Sequence, residues 1–334
     1  MKTRNIVVVG SSAGGVEALK VFVRNLPASL PASIFVVNHF PSDSQSNLEK
    51  ILAAERTLPC SAASNGGSIE PGRIYVAPPG YHLLLAEHEM ALVYGPRENR
   101  QIPSIDALFR SAAVAFGPRV IGVLLSGTHY DGVAGMEAIA KAGGILLVQE
   151  PLDAMHPELP LNAIRQLDIS HSRPAAELAS LVAELAGEQV MEGPVPSSTI
   201  RLEAEIAAGK VITADEMQLL GDPSSLICPE CGGALWNMRE TEVDRFRCHV
   251  GHAFAAEELE NLQGRDVERA LWFAMRTLED KRQLYRTLAD AETARKAPTI
   301  QAEYVRKAEE AGEHAGVLRA LLSQWSEHHT LELR

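Results

Sequence analysis

Ile6-Val7-Val8-Val9-Gly10-Ser11-Ser12-Ala13-Gly14-Gly15 is the most informative stretch of this sequence. Its β-branched run predicts a strand covered on both faces, as strands of parallel sheets are. The small residues that follow predict a tight turn, and the pattern from Val16 onward predicts a helix. A strand-turn-helix unit of this kind holds the Ser12 hydroxyl out of the sheet, close to the free N–H groups of the helix.

Short apolar strands alternate with helical patterns over the first half of the chain, which predicts a doubly wound α/β sheet. One segment departs from this alternation: Tyr81–Tyr94 predicts an antiparallel hairpin that turns at Glu87-His88-Glu89. The predicted strands are Ile6–Val9, Ser33–Val37, Ile74–Ala77, Leu83–Ala86, Ala91–Tyr94, Val120–Leu125 and Ile145–Val148. The predicted helices are Val16–Leu26, Gln45–Glu55, Ile105–Phe116, Gly135–Ala142 and Ala175–Ala186.

The second half of the chain changes in character, and we expect four parts in total. Residues 1–187 form the α/β domain, and 188–225, with several prolines and serines, form a linker. Residues 226–254 form a small cysteine-rich unit. Residues 255–334 carry two apolar stripes at helical spacing separated by Pro298, which predicts a helical hairpin.

The composition excludes several classes of protein. The net charge of −12 over 334 residues argues against nucleic acid and anionic membranes as partners. The chain has neither a signal peptide nor an apolar run of the length that a membrane span needs, so we expect a cytoplasmic protein that does not insert into a membrane. The four cysteines are then thiols or metal ligands rather than disulfides.

Three polar residues follow predicted parallel strands. Ser12, His39 and Asp131 each come shortly after a strand end, where ligands bind in open α/β sheets. A serine, an imidazole and a carboxylate together can form a nucleophilic site. Each also has a structural interpretation: Ser12 as a helix cap, His39 as a core or turn residue, and Asp131 as a turn or cap.

The cysteine-rich unit has the spacing of a metal site. Cys228-Pro229-Glu230-Cys231-Gly232-Gly233 forms a knuckle-like pair. Sixteen residues separate Cys231 from Cys248, which begins the segment Cys248-His249-Val250-Gly251-His252. Cys228, Cys231, Cys248 and His252 predict a tetrahedral zinc site, with His249 as the alternative fourth ligand. Four protein ligands leave no open position, so the predicted zinc is structural and catalysis needs no cofactor.

A longer series of segments resembles the catalytic domain of the chemotaxis receptor methylesterase family (CheB). The matching segments are Gly10–Leu19, Asn38-His39-Phe40, Pro71–Pro79, Pro103–Ala113, Leu124–Thr128, Asp131-Gly132 and Gly143–Glu150, in order over residues 4–186. The resemblance implies Ser12 as nucleophile, His39 as general base and acid, and Asp131 as the carboxylate that orients it. It also implies that backbone N–H groups at Ala13 and Thr128 stabilise the oxyanion.

The resemblance implies a serine esterase that hydrolyses γ-glutamyl methyl esters on chemoreceptors, with glutamine deamidation in many members. The methylated chemoreceptor, or a related signalling protein, is then the expected partner.

The chain departs from the family at His129-Tyr130, where a glycine and a small polar residue are usual. It also begins at the catalytic strand, so we expect no receiver domain in cis. The alternative is a signalling adaptor that keeps the fold without the activity. The cysteine-rich unit resembles a C-terminal extension of some methylesterase-like proteins, for which we expect a docking or spacing role.

Overall fold

The computed structural model describes residues 2–40, 46–169, 171–239 and 241–331, the last seven of these without their side chains. The strands are β1 (Lys2–Thr3), β2 (Ile6–Ser11), β3 (Ser33–Asn38), β4 (Cys60–Ala62), β5 (Gly67–Ser68), β6 (Ile74–Val76), β7 (His82–Leu85), β8 (Glu89–Val93), β9 (Val120–Leu124), β10 (Ile145–Gln149), β11 (His171–Arg173), β12 (Gln189–Val190), β13 (Gly221–Ile227), β14 (Ala234–Met238), β15 (Arg245–Cys248) and β16 (Ala253–Ala255). The helices are α1 (Gly15–Arg24), α2 (Leu48–Ala53), α3 (Ile105–Phe116), α4 (Val133–Lys141), α5 (Glu158–Gln166), α6 (Ala175–Leu185), α7 (Ser198–Ala207), α8 (Ala214–Leu220), α9 (Ala256–Ala294) and α10 (Pro298–Leu331).

A seven-stranded sheet forms the centre of the first part of the chain, in the order β11-β10-β9-β2-β3-β6-β4. All neighbouring strands in it are parallel. From β2 the chain first adds strands on the β3 side and then crosses to β9 on the other side. This reversal next to β2 is the place where open α/β sheets bind their ligands. The predicted doubly wound, mostly parallel sheet is therefore confirmed.

The central strands are apolar along their whole length because both faces are covered. Val7 and Val9 face one buried cluster with helices α1 and α6, while Ile6 and Val8 face the other with helices α3 and α4. The predicted antiparallel hairpin is also confirmed, with β7 paired to β8. Helix α2 begins at Leu48, whereas the predicted start at Gln45 lies outside the described residues.

By its internal contacts the chain forms two compact units, residues 1–258 and 259–334. In the second unit, helices α9 and α10 form the predicted hairpin, in which Tyr285 stacks on Tyr304 at 6.3 Å between ring centroids. The first unit includes α7 and α8 within residues 188–225, and the antiparallel sheet β13-β14-β15-β16. The predicted division into four parts stays a prediction about domain boundaries. Among the described helices none has both the length and the apolar character that crossing a membrane requires.

Buried ion pairs join α3 and α7 to the four-stranded sheet. Arg110 of α3 donates two hydrogen bonds, each of 3.0 Å, to the Glu98 carboxylate. Arg245 of β15 pairs with Glu203 of α7 in the same bidentate way. Arg247 donates to both carboxylates, at 3.1 Å and 3.0 Å. Three arginines and two glutamates thus form one buried network that links α3, α7 and β15.

Candidate active site

Ser12 lies in the turn between β2 and α1, directly after the last residue of the strand. Its N–H donates to Ser126 O at 3.0 Å, and its own carbonyl accepts from Gly15 N–H at 2.8 Å. Gly14 adopts φ = +70°, a conformation that glycine reaches without strain. These bonds fix the turn and leave the Ser12 side chain half-buried at the carboxyl edge of the sheet.

His39 lies between Ser12 and Asp131. Its Nδ1 is 3.2 Å from Ser12 Oγ, and its Nε2 is 2.8 Å from Asp131 Oδ2. The sheet order explains this convergence, because β3 and β9 flank β2 and their carboxyl ends meet at one edge. The three residues singled out in the sequence are therefore brought together in one hydrogen-bonded row.

The Asp131 carboxylate is held by backbone and side-chain donors beside the His39 ring. The Asp131 side chain is 1% exposed and accepts from Ser104 Oγ at 2.9 Å and from Ile105 N–H at 2.7 Å. Both donors belong to the start of α3, where the helix dipole also favours a negative charge. When His39 Nε2–H donates to Asp131 Oδ2, the Nδ1 lone pair faces Ser12 Oγ. This arrangement can remove the proton from the serine hydroxyl.

A second buried carboxylate, Asp106, lies next to Asp131. Its Oδ1 accepts from Gly132 N–H at 2.9 Å and from Gly135 N–H at 2.6 Å. Burial, and then the charge of Asp131, raise the pKa of Asp106 well above its usual range. Sequence reasoning quoted Asp106 only as part of a matching segment and gave it no role.

Two further residues at this edge also had no role in the sequence analysis. Ser104 is the N-cap of α3, and its Oγ accepts from Ala107 N–H while donating to Asp131. His82 is fully buried; its Nδ1 accepts from Ser104 N–H at 3.1 Å, and its Nε2 is 3.0 Å from Pro96 O. Burial lowers the pKa of His82, which suits a neutral ring in this position. A serine directly before a helical pattern is the one sequence signal that could have identified Ser104.

The two residues expected at the oxyanion site lie on loops that touch Ser12. Ala13 follows Ser12 directly, and its carbonyl accepts from Ser126 Oγ at 2.8 Å. Thr128 follows Gly127, where an added Cβ would come within 3.0 Å of Ser12 Cβ. Within the described parts of the chain, neither the Ala13 N–H nor the Thr128 N–H donates to an acceptor. As far as the described residues go, both N–H groups can therefore donate to a bound molecule.

His129 adopts φ = +70°, so the position where the family usually has glycine does require a left-handed backbone. Its carbonyl accepts from Asn162 Nδ2 at 2.9 Å, and its Nδ1 lies 3.1 Å from Glu258 Oε2. Glu258 is the third residue of α9, and its side chain is 5% exposed. The His129 ring is thus directed to Glu258, while Asp131 Oδ2 is engaged by His39.

The four predicted metal ligands also come together. One ligand atom from each of Cys228, Cys231, Cys248 and His252 lies within 4.8 Å of every other. Cys231 Sγ and Cys248 Sγ are 3.7 Å apart, and His252 Nδ1 is 3.6 Å from Cys248 Sγ. Zinc with Zn–S bonds of about 2.3 Å and tetrahedral angles places its ligand atoms about 3.5–3.8 Å apart, so this donor set fits the ion. His249 packs beside Gly233.

Comparisons with known proteins agree with this geometry. The family model described as CheB methylesterase matches residues 7–182. A putative protein-glutamate methylesterase/protein-glutamine glutaminase of Leptospira interrogans is 33% identical over 180 residues, which are 54% of this chain and 93% of the relative. A protein-glutamate methylesterase/protein-glutamine glutaminase 2 of Methanosarcina mazei is also 33% identical, over 49% of this chain and 47% of the relative. The chain thus spans about half the length of some curated relatives it matches.

Among solved structures, the Thermotoga maritima CheB methylesterase catalytic domain superposes with a TM-score of 0.54 at 28% identity. The match covers 56% of this chain and the whole of that domain. The sheet, the serine turn and the residue row at its edge all fall within the matched region. This chain belongs to the CheB methylesterase family.

Proposed function

We propose that this protein is a protein-glutamate methylesterase that hydrolyses γ-glutamyl methyl esters of chemoreceptors through an acyl-enzyme on Ser12. The observation that carries the proposal is the row from Ser12 Oγ through His39 to Asp131, with gaps of 3.2 Å and 2.8 Å. The names of the relatives supply the ester and the glutamyl side chain as substrate class.

The reaction has two acyl-transfer steps. Ser12 Oγ attacks the ester carbonyl carbon while its proton passes to His39 Nδ1, and the tetrahedral intermediate then expels methanol, which takes that proton. Water repeats the sequence on the acyl-enzyme, with His39 again as base and then as acid, and releases the glutamate carboxylate. Asp131 keeps the imidazole oriented and stabilises its charged form.

The N–H groups of Ala13 and Thr128 stabilise the oxyanion of each intermediate in this scheme. Their lack of other acceptors among the described residues supports that role. An oxyanion donor of this type contributes about 3 kcal/mol to the stability of the transition state. The same machinery accommodates a glutamine side chain with ammonia as leaving group, and the glutaminase part of the relatives' names favours this as a second activity.

We also propose that Cys228, Cys231, Cys248 and His252 hold one structural zinc ion. The spacing of their ligand atoms supports this assignment. A four-residue donor set stabilises a fold and leaves no coordination position for a substrate.

The deciding experiment measures methanol release from a glutamyl-methylated chemoreceptor fragment by wild-type protein and by Ser12→Ala. We expect release by wild type and loss of it in Ser12→Ala. Ser180→Ala is the matched control, because Ser180 lies exposed on α6 and donates to the Ala176 carbonyl of its own helix. A fluorophosphonate probe should label wild type and Ser180→Ala but not Ser12→Ala. A folded wild type that neither releases methanol nor reacts with the probe would favour the adaptor instead.

A further inference from the structure

Asn99 is buried, and both polar atoms of its side-chain amide form hydrogen bonds. Its Nδ2 donates to Asp106 Oδ2 at 3.1 Å, and its Oδ1 accepts from Ala255 N–H at 2.9 Å. Its backbone N–H donates to Ala253 O at 2.7 Å. The residue is 5% exposed and has φ = +47°. Asn99 therefore joins the active-site edge of the sheet to β16, the strand that directly follows the Cys/His cluster.

Asp106 continues this connection to the catalytic row. Besides Asn99, it binds the N–H groups of Gly132 and Gly135, so it holds the start of α4, which follows Asp131 closely. The Asp106 N–H also donates to Asp131 Oδ1 at 3.3 Å. A displacement of the Asp106 carboxylate would therefore move Asp131 relative to His39.

The other end of the connection is rigidly supported. Strand β16 pairs with β15, and Cys248 N–H donates to His252 O at 3.0 Å within the cluster. Arg247 donates to Gly251 O at 2.8 Å and also to Glu98, the residue before Asn99. The main chain of Asn99 is thus fixed by β16 and by the buried ion pairs together.

An amide is the side chain that suits this position. Asn99 meets an N–H donor on one side and a carboxylate on the other, so the site requires an acceptor and a donor on one short planar group. Aspartate has the same shape but lacks the N–H that Asn99 donates to Asp106, and alanine would leave both partners without their bonds. Neither replacement preserves the N–H···O bond to Asp106.

We propose that Asn99 is a positioning residue for the acyl-transfer reaction, and that it fixes Asp131 against His39 by holding Asp106 to strand β16. The inference rests on the proposed roles of His39 and Asp131. It makes the cysteine-rich part of the chain a structural support of the catalytic row. Small displacements of a catalytic group reduce rates by up to about 100-fold, which sets the size of the expected effect.

The test compares full-length wild type, Asn99→Ala and Asn99→Asp by proton NMR and by ester hydrolysis. The first readout is the downfield resonance of the ring proton that His39 shares with Asp131, assigned by its absence in His39→Gln. The second is the separate measurement of kcat and KM. Asn5→Ala is the matched control, because Asn5 also makes two side-chain bonds, both to Arg119, but lies at the opposite end of β2.

We expect both Asn99 variants to shift the His39 resonance and to lower kcat by about 10- to 100-fold at unchanged KM. Asn5→Ala should change neither. Asn99→Asp keeps the acceptor for Ala255 N–H, so it preserves the packing if the alanine variant fails to fold. Unchanged resonance and kcat in a folded Asn99 variant, or an equal change in Asn5→Ala, would overturn the proposal. A wild type without esterase activity would refute the proposed function, while the resonance comparison would still decide the role of Asn99.

Discussion

Asp131 binds N–H groups at the start of the helix that contains Asp106, and Asp106 binds N–H groups at the start of the helix that follows Asp131. Asp131 accepts from Ile105 N–H and Asp106 N–H at the start of α3, and Asp106 accepts from Gly132 N–H and Gly135 N–H at the start of α4. Two buried carboxylates are thereby held side by side by the positive ends of two helices. The bonds from the start of α3 hold the Asp131 carboxylate next to the His39 ring.

Replacing Asp131 with asparagine removes the negative charge that orients His39. The new NH₂ group cannot accept from the Ser104 hydroxyl, the α3 N–H groups and the His39 ring together. We expect kcat for ester hydrolysis to fall by about 10⁴-fold, the size of loss that follows when this acid becomes an amide in a serine triad. Asp168→Asn, at an exposed position, is the control. A loss below about tenfold in a folded variant would argue against the triad.

Gly127→Ala tests the contact between the loop after β9 and the serine turn. The new Cβ would come within 2.8 Å of Leu159 Cδ2 and 3.0 Å of Ser12 Cβ, so the Leu159 side chain must shift and the serine turn must give slightly. We expect a lower kcat and a free energy of unfolding reduced by about 1–3 kcal/mol, measured by urea titration. Gly316→Ala is the control: it meets no described atom within 4 Å, and as an exposed helical site it should stabilise by up to about 1 kcal/mol. Equal activity of the two variants would contradict the prediction.

Removal of the metal tests the Cys/His cluster. We expect wild type to carry one zinc per chain by elemental mass spectrometry, and a chelator to lower its melting temperature, because the ion holds a unit with a small core. Cys248→Ser should lose the zinc. The matched control is Cys60→Ser: Cys60 lies outside the cluster, on β4, and burial raises the pKa of its thiol to about 12. Full zinc content in Cys248→Ser would refute the assignment.

Acid should weaken the buried ion pairs. Burial alone would raise the pKa of Glu98, but Arg110 and Arg247 hold it at about 2, below the 4.5 of an unfolded chain. The folded state therefore takes up this proton at a lower pH than the unfolded state does. Glu98 contributes about 3 kcal/mol to the free energy of unfolding above pH 4.5, and this contribution is lost as the pH falls toward 2. The raised pKa of Asp106 has the opposite effect: the folded state binds this proton more readily than the unfolded state, so Asp106 lowers the stability as the pH rises.

The measurement for Glu98 is urea unfolding of wild type and Glu98→Gln between pH 2 and about 7. We expect the variant to be less stable at neutral pH, since Arg110 and Arg247 lose a charged partner, and to lose less stability in acid. Glu177→Gln, which breaks an exposed pair with Arg173, should behave like wild type. Parallel curves for wild type and Glu98→Gln would show that this carboxylate does not titrate as stated.

The sequence alone predicted the central sheet, and it singled out the Ser12, His39 and Asp131 row and the four Cys/His residues that the structure brings together. Buried parallel strands have unbroken apolar runs, and a Cys-x-x-Cys pair with a later Cys and His has a recognisable spacing. It did not predict α5 as a separate helix, nor roles for Ser104, His82 and Asp106. These roles depend on hydrogen bonds between loops that are distant in the chain, and no periodicity records such contacts.

The sequence by itself therefore determined the parallel sheet, the serine turn after β2 and the residues that we propose to react or to bind a metal. Only the tertiary structure decided that Asn99 touches Asp106, that Glu98 pairs with Arg110 and Arg247, and that His129 meets Glu258. Local patterns follow from the geometry of single helices and strands, whereas these pairs form because folding buries polar groups that must find partners wherever the chain brings them.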